Sequence, residues 1–204
     1  MKKQISQRRE FLRVIGGVGV ASLTVPNYLI GAKPSAVLSR SGVLLEASSF
    51  AKTGGWKIDT QHYLQMGGNY LLAHGMGKPV EDAETVVDLP TSGKWNVWVR
   101  NRDWCKGQWQ SPGRFQVLVE GKPLQTTFGE AEESWHWQSG GSVEIAKAGN
   151  TKVSLRDLTG FDGRCDAIFF TQESNPSLPE DDLKELSDWK DIRAGRSKEK
   201  DEEL

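Results

Sequence analysis

The sequence has little cysteine, little net charge and no long hydrophobic run, and each shortage excludes a class of protein. Its 204 residues include two cysteines, Cys105 and Cys165, too few for a disulfide-built scaffold but enough for one bridge in an oxidising compartment. Their spacing leaves the pairing open. The chain carries a net charge of −1, and because residues 1–36 hold +5, the remainder carries −6, which argues against a nucleic-acid partner.

The longest apolar run, Val14 to Val25, is about a dozen residues, whereas a membrane-spanning helix needs about 20. It follows Arg8-Arg9 and the pair Phe11-Leu12, which is typical of a twin-arginine export signal. We therefore predict a signal segment over residues 1–36, cleavage near its end, no stable membrane anchor and a periplasmic or secreted location. The alternative is a cytoplasmic amphipathic N-terminus.

The sequence from Val43 onward lacks helical periodicity and consists of short apolar or alternating segments separated by turn residues. We predict an all-β domain over residues 37–178, a two-sheet β-sandwich of jelly-roll type. Turns are predicted at Glu120-Gly121-Lys122-Pro123 and at Gly149-Asn150. The predicted strands are Val43–Ala47, Tyr70–Ala73, Thr85–Leu89, Trp95–Arg102, Arg114–Glu120, Ser142–Ile145, Lys152–Asp157 and Ala167–Thr171.

The C-terminal segment, residues 179–204, has a different pattern. Leu183, Leu186 and Trp189 recur at helical spacing, with acidic residues before them and basic residues after them. We predict a short helix that ends near Gly195, followed by a charged, linker-like tail.

Tryptophan is abundant, and Trp104 and Trp109 lie in segments where loops are expected. An exposed indole offers a flat apolar face to a sugar ring, and polar neighbours can bond the hydroxyl groups of the sugar. We therefore predict a glycan-binding site made of Trp104, Trp109, Arg102, Asp103 and His136. Trp135 and Trp137 alternate onto one face of a strand, where the core is the favoured position and ligand binding the alternative.

Two weaker patterns could carry chemistry. Asp157, Asp162 and Asp166 lie in a glycine-containing segment that resembles no EF-hand loop, so capping of the segment's own backbone is favoured over a calcium site. An enzyme would use His74 or His136 as a base with Arg102 and Asp103, although no linear motif supports this. We predict no catalytic residue, no resident metal and no cofactor.

Several segments together resemble a known family of domains. They are Tyr70 to Val80, Trp98 to Trp104, Pro112 to Phe115, Trp135 to Gln138 and Asp157 to Ile168. The chain resembles the N-terminal accessory β-sandwich of bacterial FAD-dependent oxidoreductases, similar to golvesin and xanthan-lyase carbohydrate-binding-like domains. The resemblance spans about residues 43–171 and implies a carbohydrate-binding-like fold. A glycine-rich flavin loop is absent from the sequence, so flavin chemistry does not transfer.

Three functions follow as hypotheses. The first is an exported, non-catalytic module that binds a glycan or polysaccharide. The second is a docking domain for a separately encoded flavoprotein, which co-purification of a yellow partner would support. The third is a small polysaccharide lyase or hydrolase, which would require product release that His→Ala variants abolish.

Overall fold

The structure, a computed structural model, describes residues 41–107, 109–180 and 183–193. The predicted signal segment with Arg8 and Arg9 lies outside the described residues, as does the tail after residue 193. Neither helix in the described ranges is long and apolar enough to cross a membrane.

Ten strands in the described ranges form two antiparallel sheets. The six-stranded sheet contains β1 (Val43–Glu46), β2 (Lys57–Asp59), β3 (Tyr70–His74), β5 (Gly93–Arg102), β8 (His136–Ile145) and β10 (Phe161–Thr171). The four-stranded sheet contains β4 (Ala83–Leu89), β6 (Phe115–Val119), β7 (Lys122–Pro123) and β9 (Gly149–Asp157). The helices are α1 (Tyr63–Met66) and α2 (Leu183–Arg193). The predicted all-β sandwich with a short C-terminal helix is confirmed.

Strand β10 is the centre of the six-stranded sheet, whose order is β2-β3-β10-β5-β8. One edge of β10 pairs with β5, and the other pairs with β3 along its first half and β1 along its second. The sequence predicted only the second half of this strand. The first half was missed because a register shift between Phe161 and Gly163, with a positive φ at Asp162, gives it the composition of a loop.

The main core lies between the two sheets and follows from period-two alternation along the strands. On β5, Trp95, Val97 and Val99 are buried in the core, as the alternation predicted. Sheet-to-sheet packing is completed by apolar residues of both sheets: Leu71, Ile145, Ile168 and Phe170 on one side, and Val87, Phe115, Val117, Val153 and Leu155 on the other.

One of the two predicted hairpin turns is present. Glu120 and Gly121 both have positive φ, +50° and +76°, and join β6 to β7 in the two-residue turn that suits a hairpin. The second prediction, at Gly149-Asn150, is wrong. These residues begin β9, and the preceding connection carries the chain from β8 in one sheet to β9 in the other.

A small number of charged side chains is buried on the outer face of the six-stranded sheet, the face turned away from the other sheet. Asp166 on β10 lies between Arg100 of β5, with Nη1 3.1 Å from Oδ2, and Lys190 of α2, with Nζ 2.8 Å from Oδ1. All three side chains are at most 2% exposed. We call this group the buried charge triad.

Helix α2 covers the outer face through aromatic contacts as well. The ring of Trp189 lies edge-on to Phe169 of β10 at 5.0 Å and to Trp137 of β8 at 5.8 Å between centroids. The indole N–H of Trp137 donates to the carbonyl of Pro179, just before the helix, at 3.0 Å. Apolar packing and the buried charge triad together hold α2 against the sheet.

The buried charge triad predicts unequal costs for removing its members. Asp166→Ala should lower the free energy of unfolding by about 3–5 kcal/mol, because two buried cations lose their only carboxylate within the triad. Lys190→Met should change it by less than about 1 kcal/mol, because Asp166 keeps Arg100 and the methionine fills the same space. Urea unfolding of both variants, with Lys184→Met at an exposed ion pair as the control, measures the difference. Equal costs for the two triad variants would contradict this assignment.

Candidate functional site

Three loops meet at one end of the sandwich, which we call the loop end. The loop after β3 comprises residues 75–82, and the loop after β9 comprises residues 158–160. The loop after β5 is described over residues 103–107 and 109–114. The amide of Gly75 donates to the carbonyl of Gly160 at 2.9 Å, and the Thr159 hydroxyl donates to the carbonyl of Pro112. Gly160 has a φ of +74° and touches the backbone of Lys78 so closely that a Cβ would lie 2.2 Å from its carbonyl oxygen. The loops are therefore bonded to one another.

Trp104 is the best-anchored exposed ring of the loop end. Its indole N–H donates to the carbonyl of Phe161 at 2.9 Å, and the Arg164 guanidinium carbon lies 5.5 Å from the ring centroid. The ring also lies against Gly113, where a Cβ would come within 2.9 Å of it. The side chain nevertheless remains 36% exposed. An indole held in one orientation with part of its surface open to solvent suits ligand contact.

Other apolar side chains of the loop end are also exposed. Trp109, from the same loop as Trp104, is 63% exposed and packs against Gly107. Phe161 is 48% exposed and Met76 82%. The sequence pattern pointed to the two tryptophans but not to Phe161, the first residue of β10 beside the loop end, or to Met76, because a single exposed apolar residue carries no signal of its own.

Asp103 is not placed where the sequence predicted. Its side chain is fully buried, and its carboxylate accepts bonds from the Cys105 amide at 3.0 Å and from the Ser111 hydroxyl. These bonds close the start and end of the loop that carries Trp104 and Trp109. The structure therefore gives Asp103 the role of organising this loop, in place of the predicted contact with a ligand.

The structure does not bring the histidines of the predicted catalytic group next to Arg102. His74 lies on β3 with Nδ1 2.5 Å from Asp162 Oδ1, and β10 separates it from Arg102 on β5. His136 lies on β8 as the register partner of Asn101, so it shares the face of Asn101 and not that of Arg102. Its Nδ1 donates to the carbonyl of Ser134 at 3.0 Å. The same placement separates His136 from the predicted ligand contacts Arg102 and Trp104.

The three carboxylates of the calcium candidate have separate partners. Asp157 accepts bonds from the amides of Val80, Thr159 and Gly160, at 2.9–3.0 Å. Asp162 bonds His74, and Asp166 belongs to the buried charge triad. Within the described ranges, no group of three His, Cys, Asp or Glu side chains is placed to hold a metal ion. Cys105 and Cys165 are both free thiols, and burial raises the pKa of Cys165.

Trp135 and Trp137 lie on the same face of the sheet, as their alternation predicted, but only Trp135 is buried. Trp135 is 5% exposed and packs on Tyr70 with ring centroids 5.0 Å apart, while the Arg100 guanidinium lies 5.8 Å from it. This small cluster, which Met66 completes, is a second core on the outer face. Burial leaves Trp135 no surface for a ligand, while Trp137 is partly exposed and packs against Trp189 of α2.

Arg102 is bonded to an imidazole that sequence analysis did not single out. Its Nη1 lies 3.1 Å from Nε2 of His62, while Nδ1 of His62 lies 2.8 Å from Gln65 Oε1. A guanidinium only donates, so Nε2 accepts and Nδ1 carries the proton. Burial lowers the pKa of His62, and the positive charge of Arg102 lowers it further, against the raising effect of Gln65. The imidazole is therefore held neutral.

Asp59 and Tyr70 lie beside this pair. The Tyr70 hydroxyl donates to Asp59 Oδ2 at 2.5 Å, and the amides of Thr60 and Gln61 donate to Oδ1. Burial opposes ionisation of Asp59, but these bonds outweigh it, so its pKa lies below the ordinary value. Burial and the bond to Asp59 raise the pKa of Tyr70 to about 12. Asp59 is thus ionised and already bonded at both oxygens.

Comparisons with known proteins show the fold. No protein-family model matches the sequence, and no curated protein resembles it closely enough in sequence to count as a relative. Among solved structures, the chain is similar to a Podospora anserina GH26-CBM35 β-(1,4)-mannanase, with a TM-score of 0.51 and 19% identity over 70% of this chain and 29% of the mannanase. The chain therefore corresponds to less than a third of that enzyme.

Two further structures have lower scores. A family 35 carbohydrate-binding module from Clostridium thermocellum has a TM-score of 0.49 at 16% identity, covering 64% of this chain and 97% of the module. A Paenibacillus xanthan lyase has a TM-score of 0.49 at 16% identity, covering 69% of this chain and 14% of the lyase. The chain has the β-sandwich fold of carbohydrate-binding modules. An association with flavin-dependent enzymes stays a prediction from sequence.

The bond between His62 and Arg102 predicts a loss of stability in acid. Because the folded-state pKa of His62 lies below the ordinary value of 6.5, its contribution is fully present above about pH 6.5 and is lost as the pH falls through the lower value. Between about pH 6.5 and 5, the free energy of unfolding should fall less in His62→Gln than in the native chain. Urea unfolding across this range measures it, and an NMR titration that gives His62 a pKa above 6.5 would contradict the assignment.

Proposed function

We propose that this chain is a non-catalytic carbohydrate-binding module whose ligand lies on the loop end. The observation that carries the proposal is Trp104, a ring fixed by the Phe161 carbonyl, by Arg164 and by Gly113 while 36% of it remains exposed. A sugar ring that stacks on such an indole gains apolar contact without the entropy cost of ordering the side chain.

Trp109 supplies the second aromatic contact in this proposal. It is the more exposed of the two tryptophans and extends from the same loop, which Asp103 closes from inside. Two indoles on one loop suit an extended chain of sugars better than a single small molecule. Arg102 lies on the strand that enters this loop and can bond hydroxyl or acidic groups of the ligand.

The fold supports this class of function. The mannanase with the similar fold is described as carrying a carbohydrate-binding module, and the xanthan lyase named above acts on a polysaccharide by its name. The catalytic alternative has less support, because His74, His136 and Arg102 are not brought together.

Substitution of the two indoles tests the proposal. Trp104→Ala and Trp109→Ala should each weaken binding to the preferred polysaccharide by about tenfold, and the double variant should abolish retardation in affinity gels. Trp104→Phe should retain part of the affinity, because it keeps an aromatic face. A panel of soluble polysaccharides in native affinity gels, followed by calorimetry on the best ligand, provides the measurement.

Val86→Ala is the matched control, since Val86 is a large exposed apolar residue on β4 of the other sheet. It should bind as the native chain does. Thermal unfolding of each variant separates loss of binding from loss of fold. If the double tryptophan variant binds the polysaccharide with the affinity of the native chain, the loop end is not the ligand surface.

We also propose that the chain is exported through the twin-arginine pathway. The support is the sequence of residues 1–36, with Arg8-Arg9 before an apolar run too short to anchor. Replacing both arginines by lysine should keep the full-length chain in the cytoplasm of a bacterium that has this pathway. Cell fractionation measures this, and unchanged export of the double-lysine variant would refute the proposal.

A further inference from the structure

Two guanidinium groups lie side by side on the outer face of the six-stranded sheet. Arg102 on β5 and Arg164 on β10 are register partners, so they project from the same face of neighbouring strands. Arg164 is 7% exposed and Arg102 is half-buried. Two like charges in this arrangement repel each other, and burial strengthens the repulsion, so they call for a counter-charge.

No carboxylate in the described ranges forms an ion pair with either arginine. The Arg164 guanidinium donates to the backbone carbonyl of Asp162 at 3.0 Å, and the Arg102 guanidinium donates to the neutral imidazole of His62 at 3.1 Å. Both Nε atoms are buried without a hydrogen-bond partner. The pair therefore has no carboxylate in ion-pair contact, and only the more distant charges of Asp59, Asp103 and Glu133 act on it.

The nearby carboxylates are engaged elsewhere. Asp59 is bonded by the Tyr70 hydroxyl and by two backbone amides, and Asp103 by the Cys105 amide and the Ser111 hydroxyl. Glu133, whose charge also acts on Arg102, is exposed and lies beyond ion-pair distance. In contrast, Arg100 on the same face has its own carboxylate in the buried charge triad. On this face, Arg102 and Arg164 therefore differ from Arg100, which has a carboxylate in ion-pair contact.

We propose that Arg102, supported by the charge of Arg164, binds an oxyanion of the ligand, the carboxylate or sulfate group of an acidic glycan whose sugar ring lies on Trp104. This inference rests on the proposed function and specifies the ligand class. Arg164 links the two parts of the site, because its guanidinium lies 5.5 Å from the Trp104 ring.

Arg102 and Arg164 have different roles in this site because their exposure to solvent differs. Arg102 has five N–H donors, and His62 occupies one of them, so the exposed part of its guanidinium can meet a carboxylate in the two-bond geometry that arginine favours. Arg164 is too buried to offer more than a small edge, and it acts mainly through its charge in a partly dry environment. An anion between them removes the repulsion that the free site contains.

Polygalacturonate and the same polymer after chemical reduction of its carboxyl groups are the matched probes, because they differ only in the group at C6, a carboxylate in one and a hydroxymethyl in the other. The native chain should bind the carboxylated polymer about tenfold more tightly than the reduced one, and Arg102→Gln should abolish that preference by weakening the carboxylated complex more than the reduced one. Raising the salt from about 50 to about 500 mM should weaken only the carboxylated complex.

Arg156→Gln is the control. It removes the same charge from β9 on the other sheet, where Arg156 pairs with Asp82, and it should keep the native preference. A sulfated form of the reduced polymer distinguishes a carboxylate ligand from a sulfate ligand. If the native chain binds the sulfated polymer as tightly as the carboxylated one, the site accepts oxyanions in general. If it does not, the site is specific for carboxylates. Thermal unfolding of Arg102→Gln confirms that its fold is intact.

Equal binding of the carboxylated and reduced polymers by the native chain overturns this inference, as does an equal effect of Arg102→Gln and Arg156→Gln. In either case, binding that still depends on Trp104 and Trp109 leaves the proposed function standing. If the native chain binds none of the three polymers, the inference is overturned. The proposed function is overturned separately if binding to other polysaccharides does not depend on Trp104 and Trp109.

Discussion

The outer face of the six-stranded sheet depends on the two ion pairs that buried Asp166 forms with Arg100 and Lys190. A carboxylate and two cations at most 2% exposed are costly to desolvate, and only their mutual bonds offset that cost. Lys190 comes from α2, so the carboxylate gives the helix a defined position as well as an apolar contact. Trp189 then completes a ring cluster with Phe169 and Trp137.

This arrangement divides the outer face into two regions. Around Asp166 the charges are matched and covered by α2. Toward the loop end, Arg102 and Arg164 have neutral acceptors only, and Trp104 lies against one of them with part of its ring exposed. The covered region stabilises the domain, and the open region has the features of a surface that receives a ligand: a fixed ring, two cations without an ion pair and partial burial.

Much of the fold was predictable because alternation and turn chemistry are local. The apolar face of β5 and the helix through Trp189 follow from residue periodicity, and the turn at Glu120-Gly121 follows from its turn residues. The first half of β10 was missed because its bulge and glycine imitate a loop. The site was less predictable, since burial of Asp103 and the bond between Arg102 and His62 arise from residues 8 and 40 positions apart in sequence.

The indole N–H signals of the tryptophans report whether a glycan lies on the loop end. In a two-dimensional ¹H–¹⁵N NMR titration with the polysaccharide that binds best, we expect shifts for the indoles of Trp104 and Trp109. The signals of Trp56 and Trp95, buried between the sheets at 1% and 3% exposure, should stay in place. If only tryptophans other than Trp104 and Trp109 shift, the glycan does not lie on the loop end.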